Sequence, residues 1–244
     1  MAKQATSKKT GKASAPARVV MQPLRWLRRW AIRIALVPVA LIVLLVLLFA
    51  VVNPPITLTM WQEHGKYGRL EREWKPLEDI APVMVRSVVA AEDANFCLHW
   101  GFDVTAIRAA LDDGGARGAS TISQQVVKNV FLWQGRSWVR KALETLITPL
   151  VEIVWSKRRI LEVYLNVAET GEGVFGVEAA AQKAFGVPAA KLTARQAALI
   201  AAILPSPRSR SAAKPSDRVN RRAKAIMDGA ATIRADGRAA CFED

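Results

Sequence analysis

The sequence predicts an all-α protein in which one membrane-spanning helix precedes a helical domain. First, Ile34 to Val52 form a run of 19 residues without a charge, which as a helix would span about 28 Å, close to the thickness of a bilayer core. Second, most of the later chain repeats apolar residues at helical intervals. Third, no alternating run longer than about four residues indicates a strand. We therefore divide the chain into a tail at 1–33, a transmembrane helix at 34–53 and a domain at 54–244.

The basic charge is concentrated ahead of the apolar run. The net charge of +14 comes from 35 Lys and Arg against 21 Asp and Glu, and nine of the cations lie in 1–33, which has no acid. By the positive-inside rule this tail is cytoplasmic and the domain after Asn53 lies on the other side of the membrane. A basic chain can also bind nucleic acid, but this distribution favours membrane topology, so we predict no nucleic-acid partner.

A cleaved signal peptide and a buried core helix are the alternatives for this run. The apolar part of a signal peptide is usually about 7 to 15 residues long and is followed by small residues. Here the run is longer, and Leu48 stands where a small residue is needed. Few helices of globular cores are apolar on every face. We therefore predict an uncleaved anchor.

The domain after the anchor is predicted as a series of helices. Asn53-Pro54-Pro55 ends the anchor, and 56–76, of mixed composition, is predicted to be a connecting stretch. A helix follows from Leu77 to Glu92, with a flexible loop at 112–118. Further helices are predicted at 121–128, 137–154, 157–167, 177–185, 193–204 and 218–231, with a glycine-rich loop at 171–176.

Two cysteines, Cys97 and Cys241, lie 144 positions apart without metal-ligand spacing. With only two histidines in the chain, no zinc site is predicted. In an oxidising compartment the two thiols could pair, and two free thiols are equally consistent with the sequence.

Two adjacent acids, Glu92 and Asp93, end the first helix of the domain, with Phe96, His99 and Trp100 close behind. Apolar walls would keep water from a carboxylate there, which makes it basic enough to accept a proton. A helix C-terminus disfavours acids, so their presence needs a reason. A solvated helix end is the alternative to a catalytic acid.

Polar residues also gather around the next two predicted helix starts. The group at the first of these helix starts suits an anionic, hydroxyl-rich ligand. The alternative is that its residues only cap a surface helix. The second group is a cationic patch for a phosphate leaving group, or a surface ion pair between Arg140 and Glu144. The groups are Ser120, Thr121, Gln124, Gln125, Lys128 and Asn129, and then Arg136, Arg140, Lys141 and Glu144. A later stretch, 157–166, is predicted to be mostly scaffold, with Glu162 and Asn166 as internal hydrogen-bonding groups.

Four blocks in order resemble the glycosyltransferase family 51 domain of peptidoglycan polymerases. They are E-D-x-x-F-x-x-H-x-G from 92, G-x-S-T-I-x-Q-Q from 118, R-K-x-x-E from 140 and I-L-E-x-Y-L-N from 160. The resemblance covers about 60–207 and implies a lysozyme-like helical fold. It implies the monofunctional biosynthetic peptidoglycan transglycosylase type, since a transpeptidase domain is not expected in the remaining 37 residues. Ala184 departs from the aromatic residue often found there.

The resemblance implies that lipid II is polymerised into β-1,4-linked glycan strands with release of undecaprenyl pyrophosphate. It makes Glu92 the general base and Glu144 the second acid. It places four cations near the pyrophosphates: Lys128, Arg136, Arg140 and Lys141. The substrate-binding positions that it implies are Asp93, Phe96, His99, Ser120, Thr121, Gln124, Gln125 and Asn129. A divalent cation such as Mg²⁺ at the pyrophosphate is left open, with no separate metal-ligand cluster in the sequence.

The resemblance also implies a location and partners. The chain would cross the bacterial inner membrane once, through 34–53, with a cytoplasmic N-terminus and a periplasmic catalytic domain. Lipid II and the growing glycan chain would be its substrates, and proteins of wall synthesis or division are further candidates. A lytic or hydrolytic wall enzyme and a non-catalytic scaffold are the alternative functions. A lytic enzyme would have less use for four cations beside the second acid.

Overall fold

The computed structural model describes residues 21–68, 70–114, 118–135 and 137–243. The described residues separate into two units, one ending at Leu44 and the other beginning at Leu45. The elements in chain order are α1 (Met21–Phe49), α2 (Leu58–Tyr67), β1 (Glu71–Arg72), α3 (Pro82–Glu92), α4 (Val104–Asp112), α5 (Ile122–Phe131), α6 (Trp138–Val154), α7 (Lys157–Val167), β2 (Glu169–Gly171), β3 (Val174–Phe175), α8 (Val177–Phe185), α9 (Ala194–Ile203), α10 (Asp217–Ala235) and α11 (Ala240–Glu243). This predominantly helical structure confirms the predicted fold class.

Helix α1 carries the charge-free run. Its part Arg25–Phe49 is 25 residues long with a mean hydropathy of 3.0, enough by length and composition to cross a membrane. The helix ends at Phe49, before the predicted limit at Val52. Within the unit 45–244, the Arg159 guanidinium donates to the carbonyls of Phe49 and Val52 at 3.0 and 2.9 Å. These contacts satisfy carbonyls that the end of a helix leaves without partners.

The predicted connecting stretch at 56–76 contains α2 and β1, which the sequence did not reveal. Thr57 caps α2 by accepting a hydrogen bond from the Met60 amide at 3.2 Å. The sequence signal is weak since α2 has only 10 residues and contains Gly65, a poor helix former. Helix α4 was also not predicted, and the Asp103 carboxylate caps it by accepting from the Ala106 amide at 2.8 Å.

The helix predicted from Leu77 to Glu92 begins only at Pro82, because 77–79 forms a separate 3-10 turn. The remaining helices lie close to their predicted positions. Helix α5 begins behind a capping box made by Thr121 and Gln124, and Ser137 caps α6. Helices α7 and α8 have the predicted limits, while α10 extends beyond 218–231 to Asp217–Ala235. The capping residues therefore identified most helix starts correctly.

The predicted glycine-rich loop forms part of a small sheet. Strand β3 lies between the other two, parallel to β1 and antiparallel to β2. Glu71 pairs with Val174 and Arg72 with Phe175 in the parallel register. Strands of two or three residues are too short for a period of two to be recognised in the sequence.

Two groups of packed helices hold the site. Helix α5 packs against α6 and α7, and α3 packs against α9 and α10. The buried apolar residues between them include Val88, Ile122, Ile160 and Ile200, all fully inaccessible to water. The Asn166 side chain binds the amide and the carbonyl of Lys75, each at 2.8 Å, which confirms its predicted internal role.

Gly101 lies at the junction of the loop after α3 with α6. Its φ is +83°, and a Cβ there would stand 2.6 Å from Thr148 Cγ2. We expect Gly101→Ala to lower the free energy of unfolding by about 3 kcal/mol, from backbone strain plus overpacking. Gly186→Ala is the matched control, because Gly186 has a φ of +66° with nothing within 4 Å of its Cβ position. Chemical denaturation should show a loss of about 1 kcal/mol for the control, and equal losses would contradict the close contact.

Candidate active site

Glu92 is the last residue of α3, and its carboxylate faces residues of three other helices. Its Oε2 accepts a hydrogen bond from Gln125 Nε2 at 3.0 Å. The Gln125 Oε1 in turn accepts from the Tyr164 hydroxyl at 3.3 Å. The Glu92 side chain is only 12% exposed. This chain of hydrogen bonds from α7 through α5 therefore orients a nearly buried carboxylate.

Burial raises the pKa of Glu92, because the charged carboxylate loses its hydration. The hydrogen bond from Gln125 and the charges of Arg222 and Lys128 act in the opposite direction. Burial, with the nearby Glu92 charge, also raises the pKa of Tyr164 well above its ordinary value, so its hydroxyl keeps the proton that it donates. The result is a basic carboxylate that can still ionise, which is what a general base requires.

An open cleft of about 240 Å³ lies beside Glu92. Its wall combines the end of α3 with the segment that leads into α5. The residues that line it are 90–95, Asp103, Ala106 and 118–121. The predicted site residues Asp93, Ser120 and Thr121 are thus brought next to Glu92.

The loop after Glu92 is fastened to its surroundings by the other residues of the first block. The buried Asp93 carboxylate accepts from His99 Nε2 at 2.8 Å and from the Ile122 amide at 3.0 Å. Phe96 is fully buried, and Lys157 Nζ lies 4.4 Å from the centre of its ring. These contacts order the loop and tie it to the start of α5. A contact of Asp93, Phe96 or His99 with substrate stays a prediction.

The predicted cationic patch surrounds Glu144, which is buried. One of its oxygens accepts from Arg140 Nη1 at 2.6 Å, and the other is in close contact with Lys141 Nζ. Lys141 Nζ also donates to Ser120 Oγ at 3.2 Å, which links the patch to the cleft wall. Since the Glu144 side chain is only 3% exposed, the ion pair is not the exposed surface pair considered as an alternative.

Lys128 differs from the other cations of this patch. Within the part of the chain that the structure describes, its ammonium group has no hydrogen-bond or ion-pair partner. Burial lowers its pKa, and Arg140 and Lys141 act in the same direction, while Glu144 and Glu92 oppose them. A partly buried cation without a direct partner has the chemistry to bind an anion.

The other predicted residues have different positions. Thr121 and Gln124 cap each other's backbone, and the Asn129 side chain accepts from Gln134 Nε2 at 3.2 Å. Arg136 lies outside the described residues.

For a divalent cation, the patch offers no free carboxylate, since both Glu144 oxygens hold cations. Among the described residues, no three or more His, Cys, Asp or Glu side chains are grouped so that they could hold a metal ion.

Sequence reasoning missed Arg222 and left the pairing of the two cysteines open. Arg222 on α10 places its Nη2 3.7 Å from Glu92 Oε1, and Cys97 in the loop forms a disulfide with Cys241 in α11. The disulfide decides between the paired and free thiols that the sequence left open. Both features depend on the packing of the C-terminal helices against α3, which spacing along the chain does not reveal.

Comparisons with known proteins agree on one family. The family model described as "Transglycosylase" matches residues 60–231. A "Biosynthetic peptidoglycan transglycosylase" of Jannaschia sp. (strain CCS1) is 62% identical over 242 residues, 99% of this chain and 99% of the relative. Proteins with the same name from Stutzerimonas stutzeri and Caulobacter vibrioides are 54% and 47% identical, over 76% and 89% of this chain and 81% and 96% of theirs.

Removal of the Glu144 charge should destabilise the fold. We expect Glu144→Gln to lower the free energy of unfolding by about 3 kcal/mol, because it leaves the Arg140 guanidinium, only 12% exposed, without its partner. Glu73→Gln is the matched control, since Glu73 pairs with Lys75 at 2.6 Å but is largely exposed. The control should lose less than about 1 kcal/mol. Equal losses in urea denaturation would show that burial of the Glu144 cluster carries no special weight.

Proposed function

The chain belongs to the transglycosylase family, and we propose that it polymerises lipid II with Glu92 as the general base. Its activity is peptidoglycan glycosyl transfer in cell-wall synthesis, on a lysozyme-like helical fold. Lipid II and the glycan chain are the substrates that this activity implies. One observation carries the assignment of Glu92: the nearly buried carboxylate lines the cleft, and its pKa is raised.

The reaction joins an incoming disaccharide to the growing chain. The 4-hydroxyl of the incoming sugar attacks the anomeric carbon, and its proton passes to the Glu92 carboxylate. The new C–O bond forms as the bond to the pyrophosphate breaks, so an α-linked donor becomes a β-1,4 linkage. Gln125 and Tyr164 hold the carboxylate in place for this transfer.

The leaving group is undecaprenyl pyrophosphate, which needs neutralised charge more than a proton. Lys128 supplies a desolvated cation without a direct partner among the described residues, and its field is strong because little water screens it. Arg140 and Lys141 extend the positive patch. Glu144 binds both of them, so we assign it the task of positioning cations and no proton transfer.

Three observations support a periplasmic domain at the membrane surface. The segment Arg25–Phe49 can span a bilayer, and its basic flank would remain in the cytoplasm. The Cys97–Cys241 disulfide is typical of an oxidising compartment. Helix α6 also exposes large apolar side chains, which suit the interfacial region of a bilayer: Trp138, Val139, Leu146 and Ile153. An anchor of this kind raises the enzyme's effective concentration around a lipid-linked substrate.

A hydrolytic wall enzyme is the alternative on the same fold. Glycosidases need two carboxylates at the scissile bond, one of them acting on water or on the sugar itself. Glu144 is poorly suited to that task, because both of its oxygens are bound to cations. The arrangement therefore favours transfer to a sugar hydroxyl with a pyrophosphate leaving group.

Replacement of the base tests the proposed function directly. Glu92→Gln should abolish polymerisation of purified lipid II, because the amide cannot accept the hydroxyl proton. Glu78→Gln removes an exposed carboxylate and should polymerise as the wild type does. Products are separated by gel electrophoresis. Ordinary activity of Glu92→Gln would refute the base assignment, and short or cleaved products from the wild type would refute the polymerase.

Loss of the Lys128 charge should slow the same reaction. We expect Lys128→Met to lower kcat by about 10²- to 10³-fold, the typical cost of a lost group that stabilises developing negative charge. Its melting temperature should not fall, because the variant removes a desolvated cation without a direct partner in the described structure. Lys191→Met, at an exposed position, serves as the control. A fall in melting temperature that accounts for the lost activity would instead indicate a structural role for Lys128.

A further inference from the structure

Arg222 reaches from α10 to the end of α3. Its Nη2 donates to the Ala91 carbonyl at 3.2 Å and lies 3.7 Å from Glu92 Oε1. Ala91 is in the last turn of α3, where carbonyls have no partner within the helix. One guanidinium thus caps the helix and faces the carboxylate. The helix dipole disfavours an acid at a helix C-terminus, and the positive charge of Arg222 offsets this effect.

Two buried atoms in this contact have no hydrogen-bond partner within the described residues, Glu92 Oε1 and Arg222 Nε. The 3.7 Å between Nη2 and Oε1 exceeds the length of a hydrogen bond. Arg222 and Glu92 therefore form a close ion pair without a direct hydrogen bond. Oε1 keeps its lone pairs free, while the cation still favours the charged form of the carboxylate.

The C-terminal segment holds Arg222 in this place. Helices α10 and α3 approach so closely that a Cβ at Gly229 would stand 3.3 Å from Ala90 Cβ. Arg238 Nη1 donates to the Ala94 carbonyl at 3.0 Å, and the Cys97–Cys241 disulfide joins the loop after Glu92 to α11. The position of Arg222 is thus built into the packing around the catalytic loop.

We propose that Arg222 is a positioning residue that keeps Glu92 ionised while the anionic substrate is bound, an inference that rests on the proposed function. The titratable and charged groups around Glu92 are Lys128 on α5, Asp93 beside it, Tyr164 on α7 and Arg222. Bound pyrophosphate would occupy Lys128 and add negative charge to the cleft. Arg222 comes from another helix and remains to balance Glu92.

The test measures kcat and KM for lipid II against pH in Arg222→Met, with Arg221→Met as the matched control. Arg221 is the exposed neighbour on α10, so both variants lose one charge from the same helix. In Arg222→Met the fall of kcat on the acid side of the pH profile (the acid limb) should move to a pH about one unit higher. At pH values on that limb, kcat should therefore be about tenfold lower than in the wild type. The KM should change less than about twofold, since the substrate-binding cations remain. Arg222→Lys should restore the limb, because it keeps the charge.

An acid limb in Arg222→Met that coincides with that of Arg221→Met would overturn the proposal. So would a loss of kcat that is independent of pH and follows a fall in melting temperature, or a failure of Arg222→Lys to restore the limb. Glu92→Gln in the same assay separates the two claims. If it is active, the general base is wrong and this proposal with it. If it is inactive and the limb has not moved, only the role of Arg222 is wrong.

Discussion

Glu92 must be withdrawn from water to become basic, and it must still be able to carry a charge. Burial at the end of α3 raises its pKa, and three groups from other helices limit that rise. Gln125 donates to one oxygen, and Lys128 and Arg222 supply positive charge without a direct contact. Too little burial would leave an ordinary surface acid, and burial without these groups would leave a carboxyl that stays protonated. The packing of α3 against α10 and the hydrogen bonds from Tyr164 through Gln125 to Glu92 maintain this balance.

The cations of the site are also partly withdrawn from water while they carry a charge. Arg140 and Lys141 are held by Glu144, whereas Lys128 has no direct partner in the described structure and loses hydration through burial. An isolated buried cation is costly for the folded protein. Under the proposed function, a bound pyrophosphate would offset this cost. In that proposal Lys128 acts on the leaving group, while Glu144 keeps Arg140 and Lys141 in position.

Most of the helices that form the site could be predicted from the sequence. Caps such as Thr121 and Ser137, with the helical spacing behind them, predicted the helices that carry Gln125, Glu144 and Asn166. Helix α2 and the three short strands were not predicted, because a 10-residue helix with a glycine and strands of two or three residues carry little periodicity. The contact of Arg222 with Glu92 and the pairing of Cys97 with Cys241 could not be predicted from the sequence for another reason. Their partners are more than 100 residues away, and only the packing of the C-terminal helices brings them to Glu92.

The ionisation of Glu92 in the folded protein is the property on which the whole account depends. Carbon-13 NMR of glutamate-labelled protein, with Glu92→Gln to assign the signal, measures the pKa of this one carboxyl without any substrate. We predict a pKa above that of an unperturbed glutamate, which is about 4.3, because desolvation outweighs the surrounding cations. A pKa at or below that value would show a solvated or strongly paired carboxylate and would contradict a general base activated by burial.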